Sequence, residues 1–305
     1  MNSKPLKYPL VSVIVPTYNR AYCLGRTIQS VIDQTYKNWE LIIVDNNSTD
    51  DTSLLVASFN SPRIQLFQIH NEGVIATSRN KGLHEAKGDY VALLDSDDWW
   101  LPEKLHASVE QLDAGADIVY HDLYLVKSFP CKPKLWKRVK SRQVISPVFQ
   151  DLLFNGNVIN NSSVVVKREL MKQIGGFSDD PLLITAEDFD AWIRLAKITE
   201  AFVRLNKPFG YYWGGGNNNS APQRTITSMR FLLERYAKEL GKDQTDFLPG
   251  WMSYSLARAY YLIGQFEPAK GYAKEALFRK NKLFVKLKAI ITVLLSTKKF
   301  GLKNS

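Results

Sequence analysis

Through its first third the chain alternates between short apolar runs and longer stretches whose apolar residues return every three or four positions. Leu10 to Val15 is rich in β-branched residues and predicts a strand, closed by Pro16, Thr17, Tyr18, Asn19 and Arg20. Leu24, Ile28, Val31 and Ile32 then keep helical spacing up to Gln34. Trp39 to Val44 predicts a second strand, which runs into the polar stretch Asp45 to Thr52. Within that stretch Ser48 and Asp51, and likewise Thr49 and Thr52, have the spacing of a capping box, and a helix carrying Leu54, Leu55 and Phe59 follows. Ile64 to Gln68 is a third strand, and Asn71-Glu72-Gly73 leads into a helix with Ala76, Arg79, Asn80, Leu83 and Ala86. Tyr90 to Leu94 reads as a fourth, buried strand that stops abruptly at Asp95, Asp97 and Asp98.

Further along, Pro102 opens a helix through Leu105, Val109 and Leu112, and Asp117 to Val126 returns as one strand. Lys127 to Arg142 is a basic run, with no acid between Leu123 and Gln150; it reads as a solvated loop able to meet phosphate groups. Asn160 to Val166 predicts another strand, Gly175-Gly176 a tight turn, and Thr185 to Ala196 a helix with an acidic start. After about Ala221 only helices are predicted: Phe231 to Leu240, a pair formed by Trp251 to Ile263 and Phe266 to Phe278, and Leu283 to Leu295. The pair has the small and aromatic residues of a single tetratricopeptide-like repeat, too few to make a solenoid.

Strands alternating with helices predict an α/β fold, a doubly wound, mostly parallel sheet flanked by helices, with a small C-terminal helical region. The expected domains are residues 1–220, divided into a nucleotide-binding half at 1–115 and an acceptor half at 116–220, and a helical region at 221–305. Thr17 to Arg20, Asp45 to Ser48 and Asp95 to Asp98 all leave the carboxyl ends of strands and are expected to converge on one crevice, where open α/β sheets bind ligands. The first turn lacks the glycines of a dinucleotide fingerprint, which disfavours that class. Acids in this place suit Mg²⁺ or Mn²⁺ held between protein and a substrate diphosphate, although acidic loops are more often solvated turns.

Composition narrows this picture. A chain of 305 residues, 45% hydrophobic, is globular and large enough for two domains. Cys23 and Cys131 give neither a disulfide framework nor a zinc site, and His70, His84, His106 and His121 have no paired ligand spacing. Met1 to Pro9 lacks the apolar core of a secretory signal and no run is long enough to span a bilayer, so a cytoplasmic protein is expected. The formal charge of +10 favours phosphorylated or anionic partners. No recognition motif accompanies it, so nucleic acid is not an expected partner.

The ordered motifs Val13 to Arg20, Val44 to Thr52, Ser78 to Gly82 and Leu94 to Asp98 resemble family 2 glycosyltransferases of the GT-A fold. With Thr185 to Ala196, the resemblance covers roughly the first 220 residues. It implies that Thr17, Tyr18 and Asp45 hold the base of a sugar nucleotide, most often UDP, with Arg79 near the phosphates. Pro16, Asn19, Arg20, Asn47, Asp95 and Ser96 complete the implied donor-binding set. Asp97 is the implied metal ligand, for Mn²⁺ or Mg²⁺; Glu187, Gly176 and Trp99 fall on the acceptor side. Glu187-Asp188 matches a family motif whose aspartate is the general base, which gives Asp188 the catalytic role; acids at a helix start are otherwise ordinary dipole partners.

The implied activity is metal-dependent, inverting transfer of a sugar from a nucleotide donor to a saccharide or lipid-linked acceptor, in bacterial surface polysaccharide assembly. Relatives often carry Tyr-Arg-x-His after the catalytic helix; here Trp213 and Gly215 stand at the Arg and His positions, so that role does not transfer. The absence leaves a non-catalytic sugar-nucleotide sensor or scaffold as an alternative. A nucleotidyltransferase is the enzyme rival, without the Gly-rich loop it would need. Gly214 to Ser220 reads as a mobile loop able to order over donor. The last helix has Leu283, Leu287, Ile290, Ile291, Leu294 and Leu295 on one face among lysines, which fits either a docked core helix or one lying peripherally on the inner face of the plasma membrane.

Overall fold

The computed structural model describes residues 8–128, 137–215, 221–243, 247–279 and 283–303. In chain order the first elements are β1 (Val11–Thr17), α1 (Ala21–Ile32), β2 (Trp39–Asp45), α2 (Thr52–Ser58), β3 (Ile64–Gln68), α3 (Ile75–Glu85), β4 (Tyr90–Leu93), β5 (Trp99–Trp100) and α4 (Lys104–Asp113). There follow β6 (Ile118–Tyr120), β7 (Leu123–Val126), β8 (Arg138–Val139), α5 (Val148–Asn155), β9 (Val165–Lys167), α6 (Arg168–Gln173), α7 (Glu187–Leu195), β10 (Phe202–Arg204) and β11 (Gly210–Trp213). The C-terminal helices are α8 (Pro222–Glu239), α9 (Gly250–Leu262), α10 (Phe266–Phe278) and α11 (Leu283–Lys303).

The chain forms two compact units, and neither is one continuous segment. The first comprises residues 1–145, 158–179 and 194–217; the second comprises 146–157, 180–193 and 218–305. The sequence reading placed one boundary near residue 220, because periodicity marks where strands stop and not which short segments join the helices.

In the first unit a seven-stranded sheet runs in the order β10-β6-β9-β4-β1-β2-β3. Every pairing is parallel except those of β9, which is antiparallel to β4 and β6. The mostly parallel sheet expected from the alternation is present. β1, β2 and β4 are wholly buried because both faces are covered, which is why they read as unbroken apolar runs. Leu24, Ile28 and Val31 of α1 meet Val11, Val13, Val15, Leu41 and Ile43 in one core with Trp100, Leu105 and Val109. Each such side chain contributes about 1.5–3 kcal/mol by leaving water.

Three local expectations are corrected. Asp117 to Val126 is two strands, since Ile118–Tyr120 joins the large sheet while Leu123–Val126 joins a second, four-stranded sheet ordered β5-β11-β7-β8. The segment from Asn160 begins with a 3-10 turn at Asn161–Ser163 and becomes strand only at Val165. Neither capping box forms: Ser48 Oγ binds the Asp45 carboxylate instead, and Asp50 Oδ1 accepts the N–H of Thr52 at 3.2 Å. Competition from a buried carboxylate decides the use of Ser48.

The second unit is helical. Leu232, Leu233 and Tyr236 of α8, Met252 and Leu256 of α9, and Ala269, Ala273 and Ala276 of α10 are buried. Helix α11 runs past the predicted Leu295 to Lys303. It buries its small residues Ala289 and Ser296 and exposes Leu283, Leu287, Ile290, Ile291, Leu294 and Leu295, so the apolar stripe is not the docked face. No helix among the described residues is long and apolar enough to cross a membrane.

Candidate active site

β1 and β2 end side by side, Thr17 in register with Asp45, and β4 lies on the other side of β1. Beyond these ends the chain turns and carries its polar residues. Asp45 is fully buried, and its carboxylate accepts the Ser48 N–H at 3.2–3.3 Å as well as the Ser48 hydroxyl. Asn47 has φ 51° and Asn19 φ 49°, left-handed conformations that asparagine tolerates best after glycine. Asn19 ties the two loops together: its N–H donates to Ser48 Oγ at 2.8 Å and its Oδ1 accepts from Thr49 N at 2.8 Å. Pro16 and Thr17 belong to β1, and buried Thr17 Oγ1 has no hydrogen-bond partner among the described residues. Tyr18 leaves its ring 54% exposed, available for a planar ligand.

The acids after β4 form a tight turn, closed by Asp98 N–H donating to Asp95 O at 3.0 Å. Asp95 Oδ1 accepts from Arg79 Nη2 and from Asn161 Nδ2, each at 3.0 Å, and its own N–H donates to Ser162 Oγ at 3.1 Å. Asp97 lies 4.0 Å from Arg20 Nη2. Burial, and then the neighbouring Asp95 charge, push the Asp97 carboxyl above its ordinary range despite Arg20. Asp98 is fully buried; its Oδ1 accepts the Trp213 N–H at 2.8 Å and its Oδ2 has no partner among the described residues. Burial together with Asp95 and Asp97 holds the Asp98 carboxyl well above the usual range. Helix α1 holds the turn from behind: Thr27 Oγ1 donates to Ser96 O or Asp98 O, at 2.9 and 2.8 Å, and Arg26 Nη2 donates to Asp97 O at 3.1 Å.

Carboxyls crowded in this way disfavour one another's ionised form, and a cation among them would relieve that repulsion. Among the described residues no three acids, histidines or cysteines converge as a complete metal cage. The set fits Mg²⁺ or Mn²⁺ nonetheless, since such ions take one or two carboxylates and complete their shell with water and substrate phosphate.

Other implied residues are placed as follows. Trp99 stacks on Tyr211 at 4.9 Å between centroids and carries Arg26 over its ring at 3.8 Å. Gly176, at φ 74°, lies where a Cβ would come 2.5 Å from Asn80 Oδ1. In the second unit, Glu187 is buried and its Oε2 accepts the N–H of Thr185, which has φ 83°. Asp188 is half-buried and its Oδ1 accepts from Phe189 N at 2.6 Å. The helix is fixed in that unit by Asp190, which receives Tyr236 OH at 2.8 Å and pairs with Arg235 at 3.2 Å, and by Phe189 against Trp251.

Residues 12–160 match the family described as Glycosyl transferase family 2. Escherichia coli WfgD, a UDP-Glc:alpha-D-GlcNAc-diphosphoundecaprenol beta-1,3-glucosyltransferase, is 30% identical over 273 residues, which cover 89% of this chain and 97% of the E. coli protein. The chain belongs to glycosyl transferase family 2. It is a glycosyltransferase, and its mixed sheet with flanking helices is the GT-A fold. Staphylococcus aureus TarS 1-349 in complex with UDP-GlcNAc superposes with a TM-score of 0.63 at 17% identity, covering 96% of this chain and 92% of that one. A Pyrobaculum calidifontis mannosyltransferase, PcManGT, in complex with GDP-Man and Mn²⁺ gives 0.55 at 21%, covering 96% and 82%.

The family's Tyr-Arg-x-His departure has a physical account in this glycosyltransferase. Trp213 binds Asp98 through its main chain, and its ring lies 5.8 Å from the Arg26 guanidinium. At Gly215 a Cβ would stand 2.6 Å from both the Trp213 ring and Lys127 O, which leaves no room for a histidine. Residues 216–220 of the expected loop, and Lys132 and Lys134 of the basic run, lie outside the described residues. Three contributors were not read from the sequence: Arg26, Thr27 and Asn161. A polar Thr27 inside the apolar stripe of α1 was the available signal.

Proposed function

We propose that this glycosyltransferase moves a sugar from a UDP-sugar to a saccharide or lipid-linked acceptor, with inversion, in the assembly of a bacterial surface polysaccharide. The observation that carries the reading is the arrangement at adjacent strand ends. Buried Asp45 beside Thr17 and exposed Tyr18 suits a nucleobase, while the acids after β4, with Arg20 and Arg79 among them, suit a diphosphate and its counter-ion. The E. coli relative, named for transfer from UDP-Glc onto a diphosphoundecaprenol-linked GlcNAc, supports the donor and the lipid-linked acceptor.

Transfer requires the acceptor hydroxyl to attack the anomeric carbon opposite the diphosphate while the bond from that carbon to the β-phosphate oxygen breaks. Asp188 accepts the hydroxyl proton, a role supported by its place in the Glu187-Asp188 motif at the start of α7. Arg79 and Arg20 offset charge on the departing diphosphate. Asp97, with Asp95, would hold Mn²⁺ or Mg²⁺, which when bound supplies further charge neutralisation for the leaving group. The exposed apolar stripe of α11, flanked by Lys286 and Lys288, suits contact with an anionic membrane surface where a lipid-linked acceptor resides.

The reading is tested by incubating the protein with UDP-glucose, UDP-GlcNAc or GDP-mannose, a short-chain lipid diphosphate-GlcNAc acceptor, and Mn²⁺, Mg²⁺ or EDTA. Metal-dependent product with inverted anomeric configuration is expected. Product formed equally well in EDTA, or only from the GDP-sugar, would overturn the metal or the base assignment.

A further inference from the structure

Asn161 stands beside the acids after β4 and has an unused oxygen. Its Nδ2 donates to Asp95 Oδ1 at 3.0 Å. Because a carboxylate bound also by Arg79 can only accept there, the amide is oriented: nitrogen toward Asp95, oxygen away. That oxygen is buried, in a residue only 5% exposed, and has no partner among the described residues. A buried amide oxygen left without a donor costs free energy, so a native site that keeps one has a use for it.

The oxygen is also rigidly held. Asn161 opens the 3-10 turn Asn161–Ser163, capped by Asn160 Oδ1 accepting from Ser162 N at 3.0 Å. Trp100 Nε1 grips Ser162 O at 2.7 Å, and Ser162 Oγ takes the N–H of Asp95 at 3.1 Å. An amide oxygen can only accept, so a ligand that satisfies it has to bring a donor, and on a sugar nucleotide that donor is a hydroxyl.

We propose that Asn161 is a binding residue for the sugar-nucleotide donor, its Oδ1 accepting a hydroxyl of the bound ligand while its Nδ2 holds Asp95. The inference rests on the donor reading above. The hydroxyl comes from either the ribose or the transferred hexose, and the two are distinguishable by ligand.

Binding of UDP, 2′-deoxy-UDP, 3′-deoxy-UDP and UDP-glucose to the wild type and to Asn161→Ala is measured by calorimetry with Mn²⁺ present. For a ribose contact, Asn161→Ala weakens UDP roughly three- to tenfold, and one deoxy ligand, weaker than UDP for the wild type, loses that penalty in the variant. For a hexose contact UDP is unchanged and UDP-glucose weakens by the same factor. Equal affinities for both proteins, or uniform weakening of all four ligands with the deoxy penalty retained, would show a structural role only and overturn the inference. A wild type that binds none of the four overturns the donor reading and this inference with it, whereas binding that is indifferent to Asn161 overturns this inference alone.

Discussion

Arg79 Nη2 lies 3.0 Å from Asp95 Oδ1, and its side chain, only 4% exposed, comes from the third helix to meet the end of the fourth strand. The pair is a hydrogen-bonded ion pair in a protected place, where removing one partner leaves the other's charge uncompensated. Arg79→Gln is expected to lower kcat/KM about tenfold to a hundredfold and to cost about 1–3 kcal/mol of stability. Steady-state kinetics and urea denaturation check both. An unchanged kcat/KM would remove Arg79 from the donor site.

Gly215 closes the route back to the motif of other family members. With a Cβ 2.6 Å from the Trp213 ring and from Lys127 O, Gly215→His forces a shift of strand β11 or its neighbour. The substitution is expected to destabilise by about 1–3 kcal/mol and not to raise turnover. Urea denaturation alongside an initial-rate assay measures this; a stable, faster variant would mean that the space exists.

His121 is buried with Nδ1 2.8 Å from Asp122 O and 3.4 Å from the Phe209 main-chain nitrogen, and Nε2 has no hydrogen-bond partner among the described residues. Burial, and then the nearby Lys104, lower its pKa to about 3. The unfolded chain binds a proton near pH 6.5 and the folded chain does not, so this residue's contribution to stability is complete above that value. It is lost as pH falls from about 6.5 toward 3, by at most about 1.4 kcal/mol per pH unit. Chemical denaturation at pH 7.5 and pH 5 is expected to show the loss, and His121→Phe a smaller one. Identical pH slopes in the two proteins would contradict the assignment.

The outward stripe of α11 predicts a surface role. Leu287 and Leu294 are 50% and 64% exposed. Replacing both with Glu is expected to alter folding stability by less than about 1 kcal/mol, as exposed positions do. The same change is expected to abolish sedimentation with phosphatidylglycerol vesicles. Retained vesicle binding would place any membrane contact elsewhere.

What was legible in the sequence followed from geometry that local pattern controls. Asp45, Asp95 and Asp97 could be placed because each ends an apolar strand, and parallel strands bring their carboxyl ends to one edge. Asn161 and Arg26 could not, because their partners lie far away in the chain and no periodicity links them. The second sheet was missed for a related reason: Trp99–Trp100 and Arg138–Val139 are two-residue strands, too short to show alternation. His121 and Asp122 interrupt the run from Asp117 to Val126, but two polar residues do not by themselves end a strand when they are buried with partners. Both are so here, and the change of sheet was not legible. Ser48 fitted a capping pattern, yet the buried Asp45 carboxylate beside it was the stronger claimant.

The most direct test is the transfer rate of Asp188→Asn, measured with the donor and acceptor that the wild type uses, together with its affinity for UDP. Transfer is expected to fall at least about a hundredfold, the usual scale for losing a general base, while the UDP dissociation constant stays within about twofold. A variant that binds UDP normally and transfers sugar at the wild-type rate would contradict a catalytic Asp188 and, with it, the proposed mechanism.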